Sequence, residues 1–253
     1  MKSCEQIDRV SGKIVYYNGN IETKPIEGLV FQRLEGSKLA REKNYVSEAV
    51  MRRMPKYYRY LTDLENSGVE RVSSKELSQR MGLTASQIRQ DFNCFGGFGQ
   101  QGYGYNVSEL RQEIHKILGL IKKYHTIVVG AGNLGQALAN YTGFEKEGFI
   151  IKGLFDINPR LIGMSIRGIP VYDIDELEKF IKENQIDIAA ICTPREKAQE
   201  VADRLIRSGV KGLWNFAAID IVVPQDVIVE SVHLSDSLYT LSFRMSGDYT
   251  NSP

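Results

Sequence analysis

The chain has little of what metals and disulfides require. Its 253 residues include three histidines and three cysteines, and Cys4, Cys94 and Cys192 lie far apart with no C-x-x-C pair. That pattern excludes a disulfide framework or a zinc site of ordinary spacing and fits a reducing compartment. No apolar run approaches the roughly 18 to 20 residues of a membrane span, and Met1–Glu5 lead into no signal core, so the expected location is the cytoplasm. Internal repeats and low-complexity tracts are also absent. Neither sign of charge dominates, because 32 Lys/Arg against 31 Asp/Glu leave a net +1. What is present is globular: 42% of residues are hydrophobic and 25% charged, and the length suits two modest domains better than one.

The even charge balance hides a gradient along the chain. Residues 1–44 carry +2, residues 45–125 carry 12 Lys/Arg against 8 Asp/Glu, and residues 126–253 carry 12 against 17. A polyanion such as nucleic acid would therefore meet the front half.

Residues 1–44 show no steady period and are interrupted by Gly12, Gly19, Gly28 and Gly36, which reads as a weakly ordered extension with a turn at Tyr16–Asn20 between short β-like pieces. From Val46 a helical spacing sets in through Val50, Met54, Tyr57, Tyr58, Leu61 and Leu64, with a kink expected at Pro55. Ser73-x-x-Glu76 is a capping box that opens a second helix, Gly82 stops it, and Thr84-x-x-Gln87 opens a third. Helix, glycine turn, helix is a helix-turn-helix pattern. Five glycines within residues 96–104, interleaved with aromatics, predict a tight β-hairpin over Phe95–Tyr105, which after a recognition helix would be a wing. Ser108 is expected to cap a closing helix that runs to Lys122-Lys123.

Beyond Thr126, short apolar runs alternate with helical stretches, as expected for buried parallel strands: Ile127–Val129, Phe149–Ile151, Gly153–Phe155, Ile186–Ile191 and Gly212–Trp214. The first of these turns into Gly130-Ala131-Gly132-Asn133-Leu134-Gly135. Gly130 would permit the tight turn, Gly132 the approach of backbone N–H groups to a pyrophosphate, and Gly135 close strand–helix packing. Asp156 follows the next apolar run, where a carboxylate accepts from adenosine ribose hydroxyls and repels an added phosphate, so NAD(H) is favoured. The plainer alternative is a tight turn followed by a loop acid. Thr193-Pro194 and Asn215-Phe216 stand at strand ends, where doubly wound sheets bind ligands. Leu234, Leu238, Leu241 and Met245 make one face of a last helix, which either docks on its own domain or packs on a partner. The only plausible proton-transfer residues are His233 and Tyr141, neither with an orienting partner, so the chain does not read as an enzyme.

The motifs Tyr57-Tyr58-Arg59-Tyr60-Leu61, Gln87-Ile88-Arg89-Gln90-Asp91-Phe92, Phe95–Tyr105, Gly130–Gly135, Asp156, Thr193-Pro194 and Asn215-Phe216-Ala217 occur in an order that resembles the Rex family of bacterial redox-sensing transcriptional repressors. The resemblance covers residues 46 to 245 and implies an α/β chain, with a winged-helix DNA-binding domain over 45–123, a Rossmann-type doubly wound parallel sheet for NADH or NAD+ over 124–232, and a C-terminal segment 233–253 whose helix swaps onto a partner. It implies a homodimer that holds a palindromic double-stranded operator and is released by NADH. Carried over residue by residue, it makes Arg59, Thr84, Ser86, Gln87, Arg89, Gln90, Gln100, Gln101, Tyr103 and Tyr105 candidates for DNA. Gly130–Gly135, Tyr141, Asp156, Arg160, Thr193, Pro194, Asn215, Phe216 and the partner's Leu234 become candidates for the cofactor. Gln100-Gln101 replace a basic pair common in family wings, which predicts weaker phosphate attraction. Leu161 stands where a lysine is common, which turns attention to Arg160, and His233 stands where an acid is common. Residues 1–44 have no counterpart in the family pattern and read as an added arm or as a start codon set too far upstream, with the region near Met51 the natural beginning. A dinucleotide-dependent oxidoreductase, or a binder of adenine nucleotide or CoA, are the competing readings.

Overall fold

A computed structural model describes residues 5–8, 13–16, 46–96 and 103–247. Two units are distinguished, residues 1–45 and 46–253. In the first, β1 (Glu5–Asp8) pairs antiparallel with β2 (Lys13–Tyr16), and residues 17–20 of the expected turn lie outside the described residues.

The second unit begins with α1 (Glu48–Asn66), whose first turn is capped by Ser47, upstream of Met51. The helix runs on through Pro55 and buries Val50, Met54, Tyr57, Leu61 and Leu64. After β3 (Arg71–Val72), the Ser73–Glu76 capping box opens α2 (Ser74–Met81), which ends on left-handed Gly82. Thr84 caps α3 (Ala85–Asn93) by accepting from the Gln87 N–H at 3.1 Å. β4 (Tyr105–Asn106) pairs antiparallel with β3, a partner that lies ahead of the helix-turn-helix, while residues 97–102 of the expected hairpin over Phe95–Tyr105 lie outside the described residues. Gly104 permits this pairing, because a Cβ there would come within 2.8 Å of the Val72 carbonyl oxygen. The closing helix α4 (Val107–Ile117) is capped by Asn106, not Ser108, and stops short of Lys122-Lys123. Gly119 and Leu120 take a Schellman ending instead, with Leu120 N–H donating to the His115 carbonyl and Gly119 N–H to that of Lys116. Leu61, Leu77, Ile88, Phe92, Leu110 and Ile114 fill the core beneath these helices.

The rest is a seven-stranded sheet. Its elements in chain order are β5 (Tyr124–Val129), α5 (Asn133–Asn140), α6 (Gly143–Lys146), β6 (Phe149–Asp156), β7 (Ser165–Ile166), β8 (Ile169–Asp173), α7 (Leu177–Asn184), β9 (Ile188–Ile191), α8 (Arg195–Arg207), β10 (Gly212–Asn215), β11 (Ile228–Ser231) and α9 (Leu234–Met245). The strand order is β11-β10-β9-β5-β6-β8-β7, parallel except for the β7–β8 hairpin. From β5 the chain steps outward to β6 and β8, then crosses to β9 on the other side of β5, so the carboxyl ends of β5 and β9 form a topological switch point. One face of the sheet packs on α7 and α8 through Leu177, Ile181, Ala198 and Leu205. The other packs on α5 around Val128, Ala139 and Leu154. The two runs 149–151 and 153–155 form a single strand, β6. The last helix, α9, buries none of its residues, and Leu238, Tyr239, Leu241, Phe243 and Met245 are all exposed.

Candidate functional site

At the switch point lies a cleft of about 750 Å³, lined by Gly130, Gly132, Leu134, Asp156, Thr193, Pro194 and Phe216 together with Ile157, Ile174, Lys197, Glu200 and Arg204. The glycine loop is built to be thin. A Cβ on Gly130, whose φ is +102°, would lie 2.5 Å from the Cys192 carbonyl oxygen, and one on Gly135 would lie 1.9 Å from that of Gly130. At Gly132 the space is open. Gly132 is also the N-cap of α5 and supplies no side-chain cap, so the first-turn N–H groups, beside the cleft that Gly132 and Leu134 line, are left without a side-chain acceptor.

Asp156 holds the loop in place. Its Oδ2 accepts from the Ala131 N–H at 2.7 Å, and its Oδ1 from the Asn158 N–H at 2.8 Å. Each carboxylate oxygen keeps a further lone pair for a ligand hydroxyl. The Thr193 hydroxyl is buried at the cleft with no hydrogen-bond partner among the described residues, a polar group that a ligand atom would satisfy. Cys192 also lines the cleft, but burial pushes its thiol up to about 12, so it is no thiolate nucleophile.

Not every expected ligand residue is gathered there. Asn215 is fully buried behind the cleft, where its amide donates to the Ile219 carbonyl at 2.7 Å and its carbonyl accepts from the Ala217 N–H at 3.0 Å; it staples its own loop. Tyr141 lies outside the cleft lining and is 60% exposed. Its ring packs edge-on against Phe144 at 4.7 Å, Phe144 against Trp214 at 5.4 Å, and Trp214 against Phe216 at 4.6 Å, so two rings, Phe144 and Trp214, stand between Tyr141 and Phe216 of the cleft wall. The side chain of Arg160 is exposed, and Ala131 and Asn133 flank the loop without lining the cavity. Leu234 opens exposed α9. Sequence reading missed Lys197, Glu200 and Arg204, although their spacing on the helix that follows Pro194 is the signal that would have found them. Arg204 is held by a bidentate pair with Glu178, at 2.7 and 3.0 Å, and Lys197 by Glu200 at 2.9 Å.

In the helix-turn-helix, α3 buries Ile88, Asp91 and Phe92 and exposes Ser86, Arg89 and Gln90 on its other side. Gln87 is half-buried, and the Thr84 hydroxyl is engaged in the cap. Arg89 Nη1 donates to Ser74 Oγ at 3.0 Å, which holds the guanidinium beside the start of α2. Tyr103 is 71% exposed at the wing, whereas Tyr105 is tucked edge-on against Phe92 at 5.2 Å. Arg59 is exposed on α1. Gln100 and Gln101 lie outside the described residues. Asp91, which no motif reading singled out, is 2% exposed and accepts from Arg53 and Tyr57. Burial and then that carboxylate hold the Tyr57 phenol above its usual range, so it stays a donor. The two regions touch where Arg52 of α1 comes within 3.8 Å of Glu230 on β11.

A winged helix-turn-helix and a Rossmann-like nucleotide cleft in one polypeptide define a class: DNA-binding proteins that carry a nucleotide-binding unit. Comparison with known proteins agrees. The family model "CoA binding domain" matches residues 121–219, and "Putative DNA-binding protein N-terminus" matches 45–93. A redox-sensing transcriptional repressor Rex from a Thermoanaerobacter species is 62% identical over 205 residues, spanning 81% of this chain and 92% of its own. A repressor of the same name from Clostridium botulinum is 60% identical over 201 residues, 79% and 96% of the two chains. The crystal structure of RSP with β-NAD+ and operator DNA superposes with a TM-score of 0.77 at 61% identity, covering 80% of this chain and 93% of that one. RSP with β-NADH gives 0.75 at 59% identity over 79% and 94%. The chain belongs to the Rex family of redox-sensing transcriptional repressors, and these relatives are repressors rather than enzymes.

Proposed function

We propose that this chain is a repressor that binds operator DNA through α3 and the wing and is released when NADH fills the cleft, with NAD+ competing for the same site. The observation that carries the reading is the joining of the two devices: a helix-turn-helix whose outward face is polar and a cleft whose glycine loop, uncapped α5 and unpartnered Thr193 hydroxyl await a dinucleotide. The relatives crystallised with β-NADH and with operator DNA support it. The domains run 45–123 and 124–232, followed by the segment 233–253, and a protein that reads the chromosome of a bacterium works in the cytoplasm.

The residues act as follows. Gly130, Gly132 and the first turn of α5 present N–H groups to the pyrophosphate, and Asp156 accepts from ribose hydroxyls while repelling a 2′-phosphate. Thr193 and Phe216 face the nicotinamide end, where an apolar wall favours the ring that is neutral when reduced. Arg89 and Gln90 reach base edges or phosphates, and Arg59 and Tyr103 flank them. Release requires only that NADH bind more tightly to the arrangement that does not fit DNA, with a coupling of about 1–3 kcal/mol.

The active species is a homodimer. The exposed apolar side of α9 needs cover, and an apolar cavity of about 450 Å³ opens on the sheet from β6 across β5 and β9 to β11, lined by Ile151, Val128, Ile188, Trp214 and Ile228 among others. The α9 helix of one chain laid over that face of its partner satisfies both surfaces. A gel-shift titration with an operator duplex at fixed salt tests the whole reading: NADH should release the protein and NAD+ should not. Equal release by both, or preferential calorimetric binding of CoA, to which the family model over 121–219 also points, would replace it.

A further inference from the structure

Given the DNA-reading role above, a separate question is what aims the reading helix. Arg53, Lys56, Tyr57 and Tyr60 recur at i, i+3, i+4 and i+7 and so share one stripe of α1. All four donate into the helix-turn-helix. Arg53 grips Asp91 with a two-pronged guanidinium contact at 2.6 and 2.8 Å, and the Tyr57 hydroxyl reaches Asp91 Oδ2 at 2.7 Å. Lys56 Nζ donates to the Met81 carbonyl and the Tyr60 hydroxyl to that of Arg80, each at 2.8 Å. The last pair satisfies carbonyls that the end of α2 would otherwise leave open, and the ammonium suits the negative end of the helix dipole. The first pair holds α3 from below.

These contacts do something that the apolar core does not. The burial of Ile88 and Phe92 is non-directional, whereas a bidentate fork fixes rotation and height together. Asp91 sits between them on the inward face, directly behind Arg89 and Gln90, so a roll of α3 moves both outward side chains relative to a groove. A buried ion pair adds little net stability over an apolar replacement of the same shape, so its presence here points to register rather than to cohesion.

We propose that the polar stripe of α1 is the positioning device for operator recognition: Asp91 and its donors set the rotation of α3, and discrimination between sequences, more than attraction to DNA in general, depends on them. Arg53, Lys56, Tyr57, Tyr60 and Asp91 are on this account positioning residues.

The test compares full-length wild type with Asp91→Asn on two duplexes of equal length, the operator crystallised with RSP and a scrambled version, across a salt series. Asp91→Asn should weaken operator binding by about tenfold or more while scrambled-duplex affinity stays within about twofold, since non-specific binding is electrostatic and indifferent to register. The salt slope and the NADH affinity should be unchanged. Tyr60→Phe, which removes only one exposed hydroxyl contact, should give about threefold on the operator and nothing on the scrambled duplex; should Asp91→Asn lack a cooperative melt, this variant decides. Equal losses on both duplexes, a changed salt slope or an unaltered operator affinity would overturn the proposal. Wild type that fails to prefer the operator would instead remove the DNA-reading role itself.

Discussion

Alanine placed in turn at Gly132 and Gly135 separates two demands on one loop. At Gly135 the new Cβ would stand 1.9 Å from the Gly130 carbonyl oxygen and 3.2 Å from a Val128 methyl. To reach ordinary contact the carbonyl must retreat by about 1.5 Å, and overpacking on this scale costs about 1–3 kcal/mol. For a chain of this size each kcal/mol lowers Tm by about 2–4 °C. At Gly132 no atom lies within 4 Å of the added Cβ, and the backbone φ of −70° is ordinary. There the roughly 0.5–1 kcal/mol lost on replacing glycine by alanine at an N-cap is offset by the 0.4–1 kcal/mol or so gained by stiffening the unfolded chain, so Tm should hold within about 2 °C. Both variants should nevertheless lose NADH, the first because the loop has shifted and the second because a methyl occupies the path of the pyrophosphate. Scanning calorimetry and a fluorescence titration with NADH read the two effects. Gly132→Ala with wild-type NADH affinity would refute the assignment of that open space to the ligand, and Gly135→Ala with a wild-type melt would refute the packing argument.

Asp156→Ala should weaken NADH binding and blunt NADH-driven release while leaving apo-protein operator affinity near normal, because the lost contacts are to the Ala131 and Asn158 N–H groups of the cleft and not to the helix-turn-helix; gel shifts with and without NADH check it. Arg89→Ala should lower DNA affinity by about 1–3 kcal/mol where the side chain reads a base, or reduce the salt slope by about one where it meets a phosphate, with NADH affinity unchanged in a calorimetric titration. Cys192 should resist thiol reagents at pH 8, since a thiol held near 12 offers almost no thiolate there; labelling followed by peptide mass mapping shows whether it does.

The parts of the fold written in local chemistry were readable from the sequence. The Ser73–Glu76 box, the Gly82 stop, the Thr84 cap and the glycine loop after β5 each act within a few residues of chain, and each formed where expected. What escaped depends on distant partners. The wing pairs Tyr105 and Asn106 with Arg71 and Val72, two-residue strands too short to carry a period and more than thirty residues apart. Ser108 and Asn106 are both able caps, and only the β3–β4 pairing decides which of them starts α4. Nothing near Asp91 in the sequence announces its burial, because the guanidinium that permits it lies on another helix. Asn215 has the position of a ligand residue at a strand end, but the loop from Phe216 to Ile219 folds back and uses up its amide. Tyr141 follows the nucleotide helix as a contact residue should, yet Phe144 and Trp214 intervene.

The bare α9 and the uncovered face of β9 to β11 also bear on the durability of the protein. Where two chains finish one another's interior, separation of the subunits and loss of structure draw on a shared free energy, and the melting point rises and falls with protein concentration. On the proposed homodimer, dilution of the protein would therefore lower its melting point.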